Sequence, residues 1–294
     1  MTRRAAGIGL AFSTAMVSGV SIYLNGRAVR HFHDATVYTT AKNAVAGILL
    51  LALALRVGAR RPAGPRPRGA LVALAVVGGS VPFVLFFEGL ARAEATQASF
   101  VQKTLVVWVA LLAVPLLKER FGVPHALAVC LLLGGQAWYA GSAGTVVFGT
   151  GEAMILAATL LWAVEVIYVK RLLAGYAPST LAAARMGLGT VLLLGWLAVS
   201  GTIGQLTSFD AEQLRWVALT GLLLTAYVAT WYAALARAQA VDVTAVLVFG
   251  AVVTALLSGA IDGASVSLAG TILVTAGAGL IAALGVRRPA GAAG

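Results

Sequence analysis

Residues 86–95 read FFEGLARAEA, and residues 231–240 read WYAALARAQA. The phrase returns after 145 residues in a chain of 294. A self-match at half the chain length marks a sequence built twice from one unit. Both copies stand in apolar surroundings. The chain is 60% hydrophobic and 11% charged, with a mean hydropathy of +0.94. Soluble domains carry about 25% charged residues. Apolar runs recur along the whole length, so the sequence is that of an all-α, polytopic membrane protein.

A spanning helix needs about 20 apolar residues. Ten segments meet or approach that length: roughly 5–24, 35–55, 69–91, 95–117, 123–140, 151–172, 178–200, 214–236, 241–261 and 266–286. Pro62, Gly64, Pro65 and Pro67 break the chain in one loop, and Gly201 and Gly204 in another. With the N-terminus inside, 14 of the 21 Lys and Arg fall on inner segments. Arg27, Arg30, Arg92 and Arg215 fall outside, and Lys42, Lys103 and Arg185 lie within helices. That excess places both termini on the inside, in the cytoplasm. The net charge of +11 is thus a topology signal, with no nucleic-acid partner implied. Arg3-Arg4 precedes an apolar stretch without a small-x-small cleavage site, which reads as a retained first helix.

Each half, 1–145 and 146–294, holds five helices. After an odd number of crossings the second half starts from the other side, so the two five-helix repeats are inverted. Inverted repeats build many secondary transporters, with the site near the midplane between them. Other landmarks keep the register. Ile22-Tyr23 matches Ile167-Tyr168 at the same spacing, and Lys42 matches Arg185 after a two-residue gap. Lys118-Glu119-Arg120 ends the fourth helix, as Ile261-Asp262-Gly263 ends the ninth.

These features resemble the drug/metabolite transporter superfamily, in its EamA-type branch. The carriers of the resemblance are the aromatic-x-x-Leu-Ala-Arg-Ala run at 87–93, the Leu-Leu-Lys-Glu-Arg end at 116–120, Gly134-Gly135, and a basic residue in each second helix. Many members have a proline in the fourth helix, where this chain reads Thr104-Leu105-Val106-Val107-Trp108. The resemblance implies ten helices in two inverted repeats and an inner-membrane carrier, most often an exporter of amino acids, metabolites or toxic cations. The YddG-type aromatic amino acid exporters are one comparison at family level.

A charge inside a bilayer is costly and rare, so each marks a functional hypothesis. Five lie well inside helices: Lys42, Glu88, Lys103, Glu165 and Arg185. Lys42 and Arg185 are repeat counterparts and read as structural or coupling charges. Glu88, Lys103 and Glu165 face Ala233, Val248 and Val20 in the repeat, so they read as substrate-side residues. Glu165 and Arg185 each lie ten residues from the turn near Gly175, at equal depth, which fits an ion pair. Lys103 could reach toward Glu88 or attract a substrate carboxylate. Trp108 and Trp162 lack aromatic counterparts and sit away from the interfacial belts. They read either as packing or as a stacking surface for a planar or cationic substrate. Tyr23, Phe86 and Tyr168 could extend such a lining, as could Phe83 and Phe87.

His31-x-His33-Asp34 offers only three groups, too few for a metal site. Asn25-Gly26 and Phe249-Gly250 read as turn or packing signals. No nucleophile motif, no His-Glu-x-x-His and no nucleotide-binding motif occurs, so neither catalysis nor a cofactor is expected. Gly270, Gly277 and Gly279 permit close helix approach, in packing or in a homodimer. The expected function is alternating-access export of amino acids or related small amphipathic metabolites. Export of drugs or organic cations, and a membrane assembly role without transport, are the alternatives.

Overall fold

A computed structural model describes residues 2–57, 68–93, 95–139 and 148–287. The repeat junction at 145/146 and the proline loop at 62–67 lie outside the described residues. Among the described residues, ten helical rods follow one another. They are α1 (Arg3–Ala28), α2 (Ala35–Val57), α3 (Arg68–Leu74, Ala75–Ser80, Val81–Leu90), α4 (Ala95–Lys103, Leu105–Leu117) and α5 (Val123–Tyr139). The second repeat gives α6 (Thr150–Leu172), α7 (Pro178–Val199), α8 (Ala211–Leu235), α9 (Ala240–Leu247, Gly250–Asp262) and α10 (Leu268–Arg287). Among the described residues, nine stretches are long and apolar enough to cross a membrane, and Val123–Trp138 is a shorter apolar helix. The chain is a multi-pass membrane protein.

Capping residues move several helix starts away from the apolar boundaries. The Thr2 hydroxyl accepts from the Ala5 N–H, so α1 begins at Arg3. Asp210 and Gln213 form a reciprocal capping box that starts α8 at Ala211. The Ser267 hydroxyl accepts from the Gly270 N–H, which fixes the start of α10 at Leu268.

The helices of one repeat find their main partners in the other. Helix α1 packs on α8 and α9, and α6 packs in the same manner on α3 and α4. Helices α2 and α7 pack on each other, as do α5 and α10. The two halves interlock, and their seam runs through the middle of the bundle. Small residues permit this. A methyl group on Gly79 of α3 would collide with the Arg185 carbonyl of α7.

The inverted repeat extends to the backbone irregularities. Helix α4 breaks at Thr104, and α9 breaks at Val248-Phe249, the matching place. The break in the fourth helix falls at the start of the Thr104–Trp108 stretch. Each broken helix also ends on a left-handed residue, Lys118 (φ 53°) in α4 and Gly263 (φ 67°) in α9. The left-handed region costs a side-chain-bearing residue about 1–2 kcal/mol. Lys118→Gly is therefore expected to leave the thermal midpoint unchanged or raise it. Lys118→Val, β-branched at the same angle, is expected to lower it. Equal midpoints for the two variants would remove the strain argument.

Candidate functional site

A cleft lies on the seam between the repeats. Its walls come from α1, α2, α3, α4, α6, α7 and α8, and it encloses about 1070 Å³ with its open mouth included. Gly26, Leu90 and Ala98 line its upper part. Each lies near a helix end on the face opposite the termini, so the cleft opens there. Arg185 lies fourteen residues below the end of α7 on that face, about 20 Å down. Lys42 lies only seven residues below the start of α2 on the same face, about 10 Å down.

The floor is an ion pair. Arg185 Nε lies 3.1 Å from Glu165 Oε1, and the Tyr232 hydroxyl donates to the same oxygen at 2.5 Å. The equal depth of Glu165 and Arg185 read from the sequence is realised as contact. Helix α3 completes the floor. In an α-helix the Gly78 carbonyl would bond to the N–H of residue 82, but Pro82 has none. The chain winds as a π-helix over Ala75–Ser80. The Gly78 carbonyl accepts from Arg185 Nε at 3.1 Å and from Trp162 Nε1 at 3.3 Å. A methyl on Gly78 would sit 2.6 Å from Glu165 Cδ, so only glycine leaves room for the carboxylate.

The walls are aromatic. Trp162 meets Phe83 edge-on at 5.6 Å and Phe86 at 5.4 Å between ring centroids. Tyr227 stacks on Trp231 at 6.1 Å. Lys42, 3% exposed, faces this space with a different set of partners from those of Arg185. Its Nζ donates to Asn25 Oδ1 at 2.9 Å and lies 3.7 Å from the Phe87 ring centroid and 5.2 Å from that of Tyr38. The Tyr38 hydroxyl donates to the same Asn25 oxygen at 2.6 Å. No carboxylate lies within ion-pair distance of Lys42 among the described residues. Cation–π contacts are worth about 0.5–2 kcal/mol. Burying an ion costs several kcal/mol. The rings alone do not offset the burial of this ammonium.

The sequence-selected residues divide in two. Trp162, Glu165 and Phe86 line the cleft, together with Lys42 and Arg185. Glu88 lies outside it, held by Arg92 at 2.6 Å and by the Thr36 hydroxyl at 2.8 Å. Lys103 is buried at the α4 break, and its Nζ has no hydrogen-bond partner among the described residues. It does not meet Glu88. The Trp108 indole donates to Thr104 Oγ1 beside that break. Tyr23 stacks under Arg27, itself paired to Asp262, and Tyr168 packs against the core. Asn25-Gly26 makes no turn: Asn25 lies within α1, and its side chain serves Lys42. Of the outer-loop trio, Asp34 caps α2 through the Thr36 and Val37 N–H groups, and His31 stacks on Trp216. Tyr232, Gly78 and Asn25 escaped the sequence reading. The signal for Gly78 was Pro82 four residues on.

The EamA-like transporter family matches residues 5–140 and again residues 149–283. The chain belongs to the EamA-like transporter family. Both matches coincide with the five-helix repeats. An uncharacterized transporter of Archaeoglobus fulgidus is 29% identical over 180 residues. That match spans 59% of this chain and 61% of the relative. A solved structure, described only as a crystal structure of a protein, shares the fold with a TM-score of 0.72. It is 17% identical, and the superposition covers 92% of this chain and 99% of the other.

In this EamA-like chain the face carrying the termini is closed by polar contacts. The Glu119 carboxylate, just past the end of α4, accepts the first two N–H groups of α9, from Ala240 at 2.7 Å and Val241 at 3.0 Å. Lys170 of α6 lies 3.8 Å from Glu119 and donates to the Leu235 and Ala238 carbonyls at the end of α8. Asp242, in the first turn of α9, pairs with Arg4 of α1 at 2.5 Å and lies 3.4 Å from His125 of α5. These contacts tie α1, α4, α5, α6, α8 and α9 together. Burial pushes the Glu119 carboxyl above its usual range, opposed by the two N–H bonds and Lys170.

Two outcomes follow from this geometry. Glu165→Leu strands the Arg185 charge and is expected to cost about 3–5 kcal/mol, seen as a lowered thermal midpoint. The double variant Glu165→Leu/Arg185→Met is expected to recover most of that loss, and a merely additive double variant would contradict the pairing. For Glu119, the folded chain binds the proton more tightly than the unfolded chain. Its contribution is therefore full below the unfolded pKa and is lost as pH rises through the raised one. The midpoint gap between wild type and Glu119→Ala is expected to be wider at acid pH than at alkaline pH. A gap that narrows on acidification would reverse the sign.

Proposed function

We propose that the chain is a secondary transporter of the plasma membrane, with both termini cytoplasmic, that exports amino acids or related small amphipathic metabolites by alternating access. The observation that carries this reading is the cleft on the repeat seam. It descends about 20 Å from one face to the Glu165–Arg185 pair, while the other face is closed. With the termini inside, the cleft opens outward, and this is the releasing state of an exporter. The mixed lining supports an amphipathic cargo. Charged and amide groups stand at two depths, with aromatic rings around them.

Export of organic cations is the second reading, since indole and phenyl faces hold cations. Among the described residues, the one carboxylate lining the cleft, Glu165, is already engaged by Arg185 and Tyr232, which favours the first reading.

The test is efflux from proteoliposomes loaded with a labelled amino acid mixture, against liposomes without protein. Saturable, counter-transported flux is expected. Trp162→Ala is expected to weaken it more than it weakens folding. Tight, monodisperse protein that moves neither amino acids nor organic cations would argue for the assembly role instead.

A further inference from the structure

We propose that Lys42 is the subsite for a carboxylate of the cargo, and that it makes the cleft select carboxylate-bearing aromatic or apolar molecules over their neutral and cationic analogues. This rests on the transport reading above. The repeat provides two buried basic residues of common structural origin, one on α2 and one on α7. Among the described residues, only one of them has a counter-ion. Arg185 has Glu165, whereas the repeat position of Glu165 in α1 is Val20. Lys42 has instead a neutral amide oxygen from Asn25 and the faces of Phe87 and Tyr38. Its ammonium has three N–H donors, and among the described residues one acceptor is in place.

The acids of the helices that line the cleft with α2 are already engaged. Glu88, one residue beyond Phe87, is held by Arg92 and Thr36. Glu165 is held on the floor. The cleft lining therefore carries two basic side chains and one acidic one, and the unpaired base lies on the mouth side of the pair. A carboxylate entering from the mouth supplies the missing charge and takes the remaining donors. The apolar body of the same molecule then lies between the rings of Phe83, Phe86, Trp162 and Trp231. An amine head group meets like charge at this depth, and an amide leaves the charge uncompensated.

Three probes share one ring and differ in the head group: phenylacetate, phenylacetamide and phenethylamine. Phenylacetate is expected to raise the thermal midpoint of the purified protein, and the other two to leave it unchanged. Lys42→Met is expected to weaken phenylacetate binding by at least about tenfold, and Lys42→Arg to retain it. Without any probe, Lys42→Met is expected to melt no lower than wild type, because it removes a charge that lacks a counter-ion. The assignment fails if phenylacetate gives no protection, if the amine or amide protects equally, or if protection survives in Lys42→Met. It also fails if ligand-free Lys42→Met melts well below wild type, which is the behaviour of a structural anchor. Flux of the same probes separates the two readings. Transport of the amine or amide in preference to the carboxylate would sink the subsite and leave a carrier standing.

Discussion

A charge in a hydrocarbon slab is costly unless it is answered within reach of its own side chain, and the answer given to Arg185 organises the centre of the molecule. Arg185 is answered by Glu165, Glu165 by Tyr232, and the guanidinium again by the carbonyl of Gly78. Those four residues stand on α7, α6, α8 and α3. The contact is thus more than an ion pair between neighbours: it sets the distance at which helices of the two repeats meet. It also explains the winding of α3. A regular helix with Pro82 in place would leave the Gly78 carbonyl without its usual donor, and here two side chains supply the donors.

Duplication explains what is alike in the two halves, and chemistry explains where they differ. The helix breaks, the left-handed ends of α4 and α9, and the two buried basic residues all recur. Their partners do not. Glu119 caps α9 on the face of the termini, while its repeat position is Ala264, which has no group to offer the start of α4 on the other face. One face therefore has a carboxylate cap joining α4 to α9, and the other, where Arg27 still pairs with Asp262, has the mouth. A perfectly symmetric pair of repeats would have equal closures on both faces. The replacement of a few polar side chains is enough to tilt that balance.

Much of this architecture was legible in the sequence, because it rests on long-period signals. Apolar runs located the helices, the odd helix count fixed the inversion, and charge in an apolar segment pointed to Glu165 and Arg185. What escaped depends on short-range or three-dimensional information. Thr2, Asp210 and Ser267 shift helix starts through single hydrogen bonds that a hydropathy profile does not register. Asn25-Gly26 carries a turn signature, yet α1 runs through it because the Asn25 side chain is committed to Ser21 and Lys42. Tyr232 looked like the conserved phrase of the repeat rather than a donor to Glu165. Lys103 and Trp108 had the same claim on the cleft as Trp162. They lie outside the lining, although Gln102 and Leu105 on either side of the α4 break belong to it.

Helix α1 runs unbroken for 26 residues, about 39 Å, from Arg3 to Ala28. Near its start Arg4 holds Asp242, and near its end Asn25 holds the Lys42 ammonium. A stiff rod joins these two attachments, so a displacement at one end is felt at the other. Occupancy near the mouth and closure at the far face thus share a single mechanical part.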